Sequence, residues 1–279
     1  MKILILASGM RERERRMSAL PPSCLPILDG PDGGPESTLA RLWRQLSTAD
    51  LQDKTHIVAA GEHAAEIKRQ LGVNMPIIIE PEHKGSYGAT MAAAAYLYTV
   101  GGVTPNETII VLSGDVYVEG DFFHCIRSLP KLLRESGSSV MLVGAEAEQP
   151  REGYGYIVPE IHTDAAEENA YDWRVNHYCK EPSEEEARQL MARGALRSCG
   201  VYAFRLELLL HRMSEAALPV YYDELCKHDV GLSVQDLEDA LLMDAAIAQS
   251  CIRFDGICAC LEHTKTETRT MAMSTNQTD

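Results

Sequence analysis

The sequence predicts an α/β fold: a doubly wound, mostly parallel mixed sheet with a smaller C-terminal lobe. Three observations predict it. Short apolar runs alternate with amphipathic stretches through the first 145 residues, the β-α-β-α pattern of a sheet covered on both faces. The first run, Ile3 to Ala7, is continuously apolar, as a strand buried on both faces requires. The 279 residues suffice for one large α/β domain.

Each element follows from its local pattern. After the strand at Ile3–Ala7, Thr38, Leu39, Leu42 and Leu46 recur at helical spacing, which predicts a helix over Ser37–Leu46. Thr55–Ala60 reads as a second strand, Glu62–Leu71 as a short helix and Pro76–Glu80 as a third strand. Ser86–Tyr98 is rich in alanine, the residue with the strongest helix preference. Glu107–Leu112 is an apolar strand that ends in Ser113-Gly114-Asp115; Phe122–Ser136 is a helix and Ser139–Ala145 a strand. The second half is less regular. Gly153–Val158 reads as an edge strand and Asp164–Asp172 as an acidic loop. Ser183 is an N-cap before Glu184, Glu185 and Glu186, whose charges suit the positive end of a helix running to Arg193. Gly200–Phe204 and Cys251–Phe254 are strands; Leu206–Ala216 and Asp236–Gln249 are helices. Residues 264–279 are polar and aperiodic and read as a flexible tail. The domain is thus expected over residues 1–263, with a core to about 145 and the lobe after it.

Composition narrows the function. Lys and Arg number 26 against 41 Asp and Glu, a formal net charge of −15. That excess disfavours nucleic acid and anionic membranes as partners. It leaves room for a phosphorylated small molecule held by a local basic cluster, such as Arg11, Arg13, Arg15 and Arg16. No apolar run reaches the roughly 18–20 residues that cross a bilayer. The opening segment meets charge too soon for a secretory signal. Eight cysteines are scattered, without a C-x-x-C pair, so reduced thiols and a cytoplasmic setting are expected, with no structural zinc.

Several motifs now stand in order. They are Leu6-Ala7-Ser8-Gly9-Met10, Cys24-Leu25-Pro26-Ile27, Glu80 through Thr90, and Leu112-Ser113-Gly114-Asp115. Further along come Gly153-Tyr154-Gly155-Tyr156-Ile157, Val175 to Pro182, Ala195 to Phe204, and Asp239 to Asp244. Together they resemble the sugar-1-phosphate nucleotidyltransferases, most closely the mannose-1-phosphate guanylyltransferase branch. The resemblance spans about Lys2 to Asp255. It implies a Rossmann-like core of the nucleotide-diphospho-sugar transferase type with a sugar-binding lobe. It also implies a reaction in which NTP and sugar-1-phosphate, here GTP and mannose-1-phosphate, give a nucleotide-sugar and pyrophosphate. The implied ligands are a nucleotide or nucleotide-sugar, a sugar-1-phosphate and Mg²⁺; a homodimer or a partner subunit is the implied assembly.

The resemblance assigns roles by position. Ala7, Ser8, Gly9, Gly85 and Gly88 fall on nucleotide-binding positions. Arg11 and Arg13 fall in the phosphate loop, where a gapless alignment puts Arg13 on the family's arginine and a shortened loop puts Arg11 there. Asp115 falls on a metal aspartate; Gly155, Lys180, Glu181 and Ser198 fall on sugar-binding positions. The chain also departs from the pattern. The loop keeps one glycine, and glycine matters there because backbone N–H groups must approach phosphates closely. The signature lysine, due just before Cys24, is absent: no lysine lies between Lys2 and Lys54. The E-K-P motif reads Lys180-Glu181-Pro182, and W-N becomes Arg197-Ser198. The second metal aspartate falls on Cys260, a thiol that suits hard Mg²⁺ poorly, with Asp255, Glu262 and His263 as alternative donors. An active transferase and a binding-only family member therefore both stand as readings.

Overall fold

The computed structural model describes residues 1–7, 19–80, 84–160, 173–226 and 234–260, with Trp173 and Cys260 as backbone only. Ser8, Gly9, Arg11, Arg13, the acidic stretch 164–172, Glu262, His263 and the segment 264–279 lie outside them.

The elements follow in chain order. Strand β1 is Lys2–Leu6, and a hairpin of β2 (Pro26–Asp29) and β3 (Pro35–Ser37) precedes helix α1 (Thr38–Thr48). Then come β4 (Thr55–Ala60), α2 (Ala64–Leu71), β5 (Ile77–Glu80), α3 (Gly85–Thr99), β6 (Thr108–Ser113) and β7 (Val116–Val118). Next are α4 (Phe122–Ser136), β8 (Val140–Ala145), β9 (Tyr156–Pro159), β10 (Trp173–Cys179) and α5 (Glu184–Ala192). The last are β11 (Leu196–Arg205), α6 (Leu206–Glu215), β12 (Gln249–Phe254) and β13 (Cys258–Cys260). One sheet has the order β5-β4-β1-β6-β11-β8-β12-β10-β9. Within it only β10 and β11 run against the other strands. The expected mostly parallel mixed sheet is therefore present.

Alternation along the strands builds two cores. Ile3 and Ile5 face α1, α2 and α4 through Leu39, Leu42, Ile67, Phe122 and Ile126. Leu4 faces the other way, toward α3 and α6. Truncating one of these buried leucines to alanine costs about 2–5 kcal/mol. Helix α3 is buried nearly all round, and Ala92 to Ala95 are fully buried. Their small side chains let the helix lie close against the sheet. Helix starts behave as their sequences dictate: the Ser37 hydroxyl accepts from the Ala40 amide at 3.1 Å, and Ser183 and Glu186 form a complete capping box.

Three expectations change. The helix expected over Asp236–Gln249 is a single wide π-type turn, Glu238–Leu242. It stops because the Asp244 carboxylate accepts from the Ala246 amide at 2.9 Å and pairs with Arg212, after which Gln249 joins β8 as a parallel strand. The strand expected at an edge begins at Tyr156 rather than Gly153, which turns with φ +81°, and it is not an edge: it pairs with β10 on one side and with the start of β11 on the other. Residues 173–179, which overlap the Val175–Pro182 motif, form a strand of their own between β12 and β9.

Candidate active site

The carboxyl ends of β1 and β6 meet at a tight junction. The Gly114 amide donates to the Leu6 carbonyl at 2.8 Å, and a Cβ on Gly114 would lie 3.1 Å from that oxygen and 3.1 Å from the Ser23 Cβ. Only glycine lets the two strand ends approach so closely. Asp115 follows at once. It is 7% exposed, and the Ser113 hydroxyl donates to its carboxylate. In open α/β sheets ligands bind at this edge, outside the carboxyl ends of the strands.

Ala7 sits at the same edge, but its backbone is occupied. Its amide donates to Val58 at 2.9 Å, and its carbonyl accepts from the Ser23 hydroxyl at 3.1 Å. Ser23 is thus turned inward, 3% exposed, on the short turn Pro22–Cys24 where a lysine was due.

A two-stranded ladder closes the junction. β13 pairs antiparallel with β7, with Cys258 opposite Val118 and Cys260 opposite Val116. The backbone of Cys260 therefore stands beside the residue that follows Asp115. Arg197 holds this ladder to β11 by donating to the Cys258 carbonyl at 2.7 Å, while its guanidinium stacks 5.0 Å from the Tyr154 ring centre. The Cys258 thiol points at the Cys199 carbonyl at 3.7 Å. The neighbouring Cys258 thiol and burial hold the Cys199 thiol well above the ordinary range, so it stays protonated.

The start of α3 packs against residues 235–237. Gly85 adopts φ +77°, and a Cβ there would lie 2.4 Å from the Gln235 carbonyl oxygen. The Tyr87 amide donates to that oxygen at 3.2 Å, the Gln235 amide donates to the Lys84 carbonyl, and the Leu237 amide donates to the Ser86 hydroxyl at 2.8 Å. Gly88 makes room for the Lys84 side chain, whose Cβ would lie 2.5 Å from an added methyl. Both glycines serve the seam between residues 84–88 and 235–237.

Past the carboxyl end of β6, Gly155 and Ser198 come together: the Ser198 amide donates to the Gly155 carbonyl at 2.8 Å. A Cβ on Gly155 would lie 1.8 Å from the Tyr178 hydroxyl. The strand β11 is bulged between Ser198 and Tyr202, with Gly200 at φ +64°. Lys180 does not join Ser198. It donates to Asp236 and Asp239, each at 2.8 Å. Burial works against its charge, but the two carboxylates outweigh burial and raise its ammonium above the ordinary lysine range. Glu181 lies at φ +44°, a left-handed conformation unusual for a side chain other than glycine. Sequence reasoning missed Tyr178, Tyr202 and Glu238. The two tyrosines stand within the Val175–Pro182 and Ala195–Phe204 motifs, which is the signal that could have found them.

Among the described residues no helix is long and apolar enough to cross a membrane. The comparisons with known proteins agree with the fold. The family described as Nucleotidyl transferase matches residues 40–230, more than half of the chain. The alginate biosynthesis protein AlgA of Pseudomonas aeruginosa is 26% identical over 201 residues, covering 70% of this chain and 40% of that protein. AlgA of Pseudomonas syringae pv. tomato is 26% identical over 222 residues, covering 77% and 44%. The chain thus spans less than half the length of these relatives. A Thermus thermophilus structure titled mannose-1-phosphate geranyltransferase superposes with TM-score 0.69 at 20% identity, covering 93% of this chain and 76% of that one. HddC of Yersinia pseudotuberculosis superposes with TM-score 0.59 at 17% identity, covering 99% of each chain. At these identities the structural likeness shows the fold, and the family match carries the assignment. The chain belongs to the nucleotidyl transferase family.

Proposed function

We propose that this chain binds a nucleotide-sugar in the cleft between the β1–β6 edge and β11, and that nucleotidyl transfer is lost or strongly reduced. The β7–β13 ladder supports this reading: the Cys260 backbone pairs with Val116, the residue after Asp115. Mg²⁺ is the cation that the resemblance implies, and the donor set does not fit it. A hard cation takes oxygen ligands, and the residue that falls on the family's second metal aspartate is Cys260, a thiol. Among the described residues no three His, Cys, Asp or Glu side chains form a group that could hold a metal. The cation lost at Ser23 removes a second contribution. Phosphoryl transfer depends on fixed positive charge around the reacting phosphate, and each such group is worth several kcal/mol.

The binding side is better preserved. Gly155 and Ser198 meet beside the bulge of β11, past the end of β6. The loop carrying Ser8, Gly9, Arg11 and Arg13 supplies the phosphate contacts in this reading. Guanine as base, mannose as sugar and self-association are part of the proposal, on the resemblance to AlgA and the guanylyltransferases. Purified protein with Mg²⁺, a panel of NTPs and a panel of sugar-1-phosphates is assayed for pyrophosphate, and its melting temperature is followed with nucleotides and nucleotide-sugars. Stabilisation without pyrophosphate is expected. Turnover near about 1 s⁻¹, an ordinary enzyme rate, overturns the loss of transfer; no stabilisation by any of these ligands overturns the binding reading.

A further inference from the structure

A polar cluster lies inside an otherwise apolar core. Tyr178 of β10 and Tyr202 of β11 are 5% and 6% exposed and belong to the core on the α3 face. The Tyr202 hydroxyl donates to Glu238 Oε1 at 2.5 Å. Gly155 links Ser198 to Tyr178: its carbonyl accepts from the Ser198 amide at 2.8 Å, and a Cβ on it would lie 1.8 Å from the Tyr178 hydroxyl. Burial, then the Glu238 charge, pushes both phenols well above their ordinary range, so they remain donors.

Glu238 is the half-exposed end of this cluster. Its position is set by the seam at α3, where the next residue back, Leu237, donates to Ser86. The nearby Lys180 is committed to Asp236 and Asp239. Among the described residues Glu238 has no cationic partner. A carboxylate held by one oxygen on a buried phenol keeps its second oxygen as a fixed acceptor. Its negative charge disfavours phosphate and favours a neutral ligand rich in O–H donors. The cluster also has the right address: the β11–β6 pairing ends at Val201 opposite Leu112, so Ser198 stands beyond the carboxyl end of β6, next to Gly155.

We propose that Glu238, aimed by Tyr202 and backed by Tyr178 and Ser198, accepts hydrogen bonds from the hydroxyls of the glycosyl group of the bound ligand. The proposal rests on the reading that this chain binds a nucleotide-sugar. Glu238 is the contact residue and Tyr202 a positioning residue.

Calorimetry on the full chain tests it with three probes: GDP, GDP-mannose and mannose-1-phosphate, with UDP and UDP-glucose in parallel. Replacing a charged acceptor costs about 10- to 100-fold in affinity. E238Q is expected to weaken the sugar-bearing probes by that factor and leave the nucleoside diphosphates within about twofold. Y202F keeps the ring and its packing; it is expected to give a smaller loss of the same kind, not additive with E238Q. An unchanged affinity for the sugar-bearing probes in both variants overturns the proposal, as does equal weakening of nucleoside diphosphate and nucleotide-sugar. Binding of mannose-1-phosphate that depends on Glu238, with no binding of any nucleotide, upholds the proposal and overturns the nucleotide reading. No binding of any probe by the parent overturns both.

Discussion

The Ser23 hydroxyl donates to the Ala7 carbonyl at 3.1 Å, where the family pattern would place a lysine near the phosphates. That bond ties the Pro22–Cys24 turn to the end of β1 and points the side chain into the core. Pro22 is half-exposed on the same turn and faces outward. The double variant P22K with C260D restores a cation and a carboxylate without disturbing Ser23. Pyrophosphate release should rise at least about tenfold over the parent, a modest share of what one fixed charge contributes. S23A, by contrast, should cost about 1 kcal/mol of stability in urea unfolding and leave ligand binding unchanged.

Gly155 has no room for a side chain. A methyl there would lie 1.8 Å from the Tyr178 oxygen and 2.3 Å from its ring carbon. G155A should destabilise by about 1–3 kcal/mol, the range of overpacked cores. Y178F removes the oxygen and leaves the ring carbon, so the double variant should recover only part of the loss. Urea midpoints of the four proteins measure this.

Gly85 and Gly33 separate backbone strain from collision. Both have positive φ, +77° and +75°. A Cβ on Gly33 meets nothing within 4 Å, whereas one on Gly85 meets the Gln235 carbonyl at 2.4 Å. G33A should cost about 1 kcal/mol, the ordinary conformational penalty. G85A should cost more and loosen the seam, seen as faster hydrogen exchange at Tyr87 and Leu237 than in G33A.

Glu66 sets a pH dependence. Hydrogen bonds from Arg69, then Gln70, lower its carboxyl from 4.5 to about 2. Its folded value lies below its unfolded one, so its contribution is present above about pH 4.5 and is lost as pH falls toward 2. E66Q should therefore match the parent at pH 3 or below more closely than at pH 6. Urea midpoints across pH 3 to 6 should converge on acidification. Gln70 would feel the change, because it also donates to the Cys24 carbonyl at 2.9 Å and accepts from Ser37.

By itself, the sequence determined the layered α/β core: the strands at residues 2–6, 55–60 and 108–113, the buried alanine helix α3 and the serine caps before α1 and α5. These depend on periodicity and on side chains bonding to amides three residues away, so they are local. The motifs also placed Asp115 at a strand end and Gly155 and Ser198 in one neighbourhood. The tertiary structure decided the rest. β13 is three residues long and exists because β7 pairs with it. The chain after Glu238 makes one wide turn because Asp244 and Arg212 end it and β8 draws Gln249 into the sheet. Gly85 stands at a position that the resemblance assigns to the nucleotide, and its close approach to Gln235, 150 residues away, is a tertiary contact. Lys180 stands at a position that the resemblance assigns to the sugar, and its pairing with Asp236 and Asp239 is a tertiary contact too. Those outcomes turn on partners distant in sequence, whose approach no local pattern records.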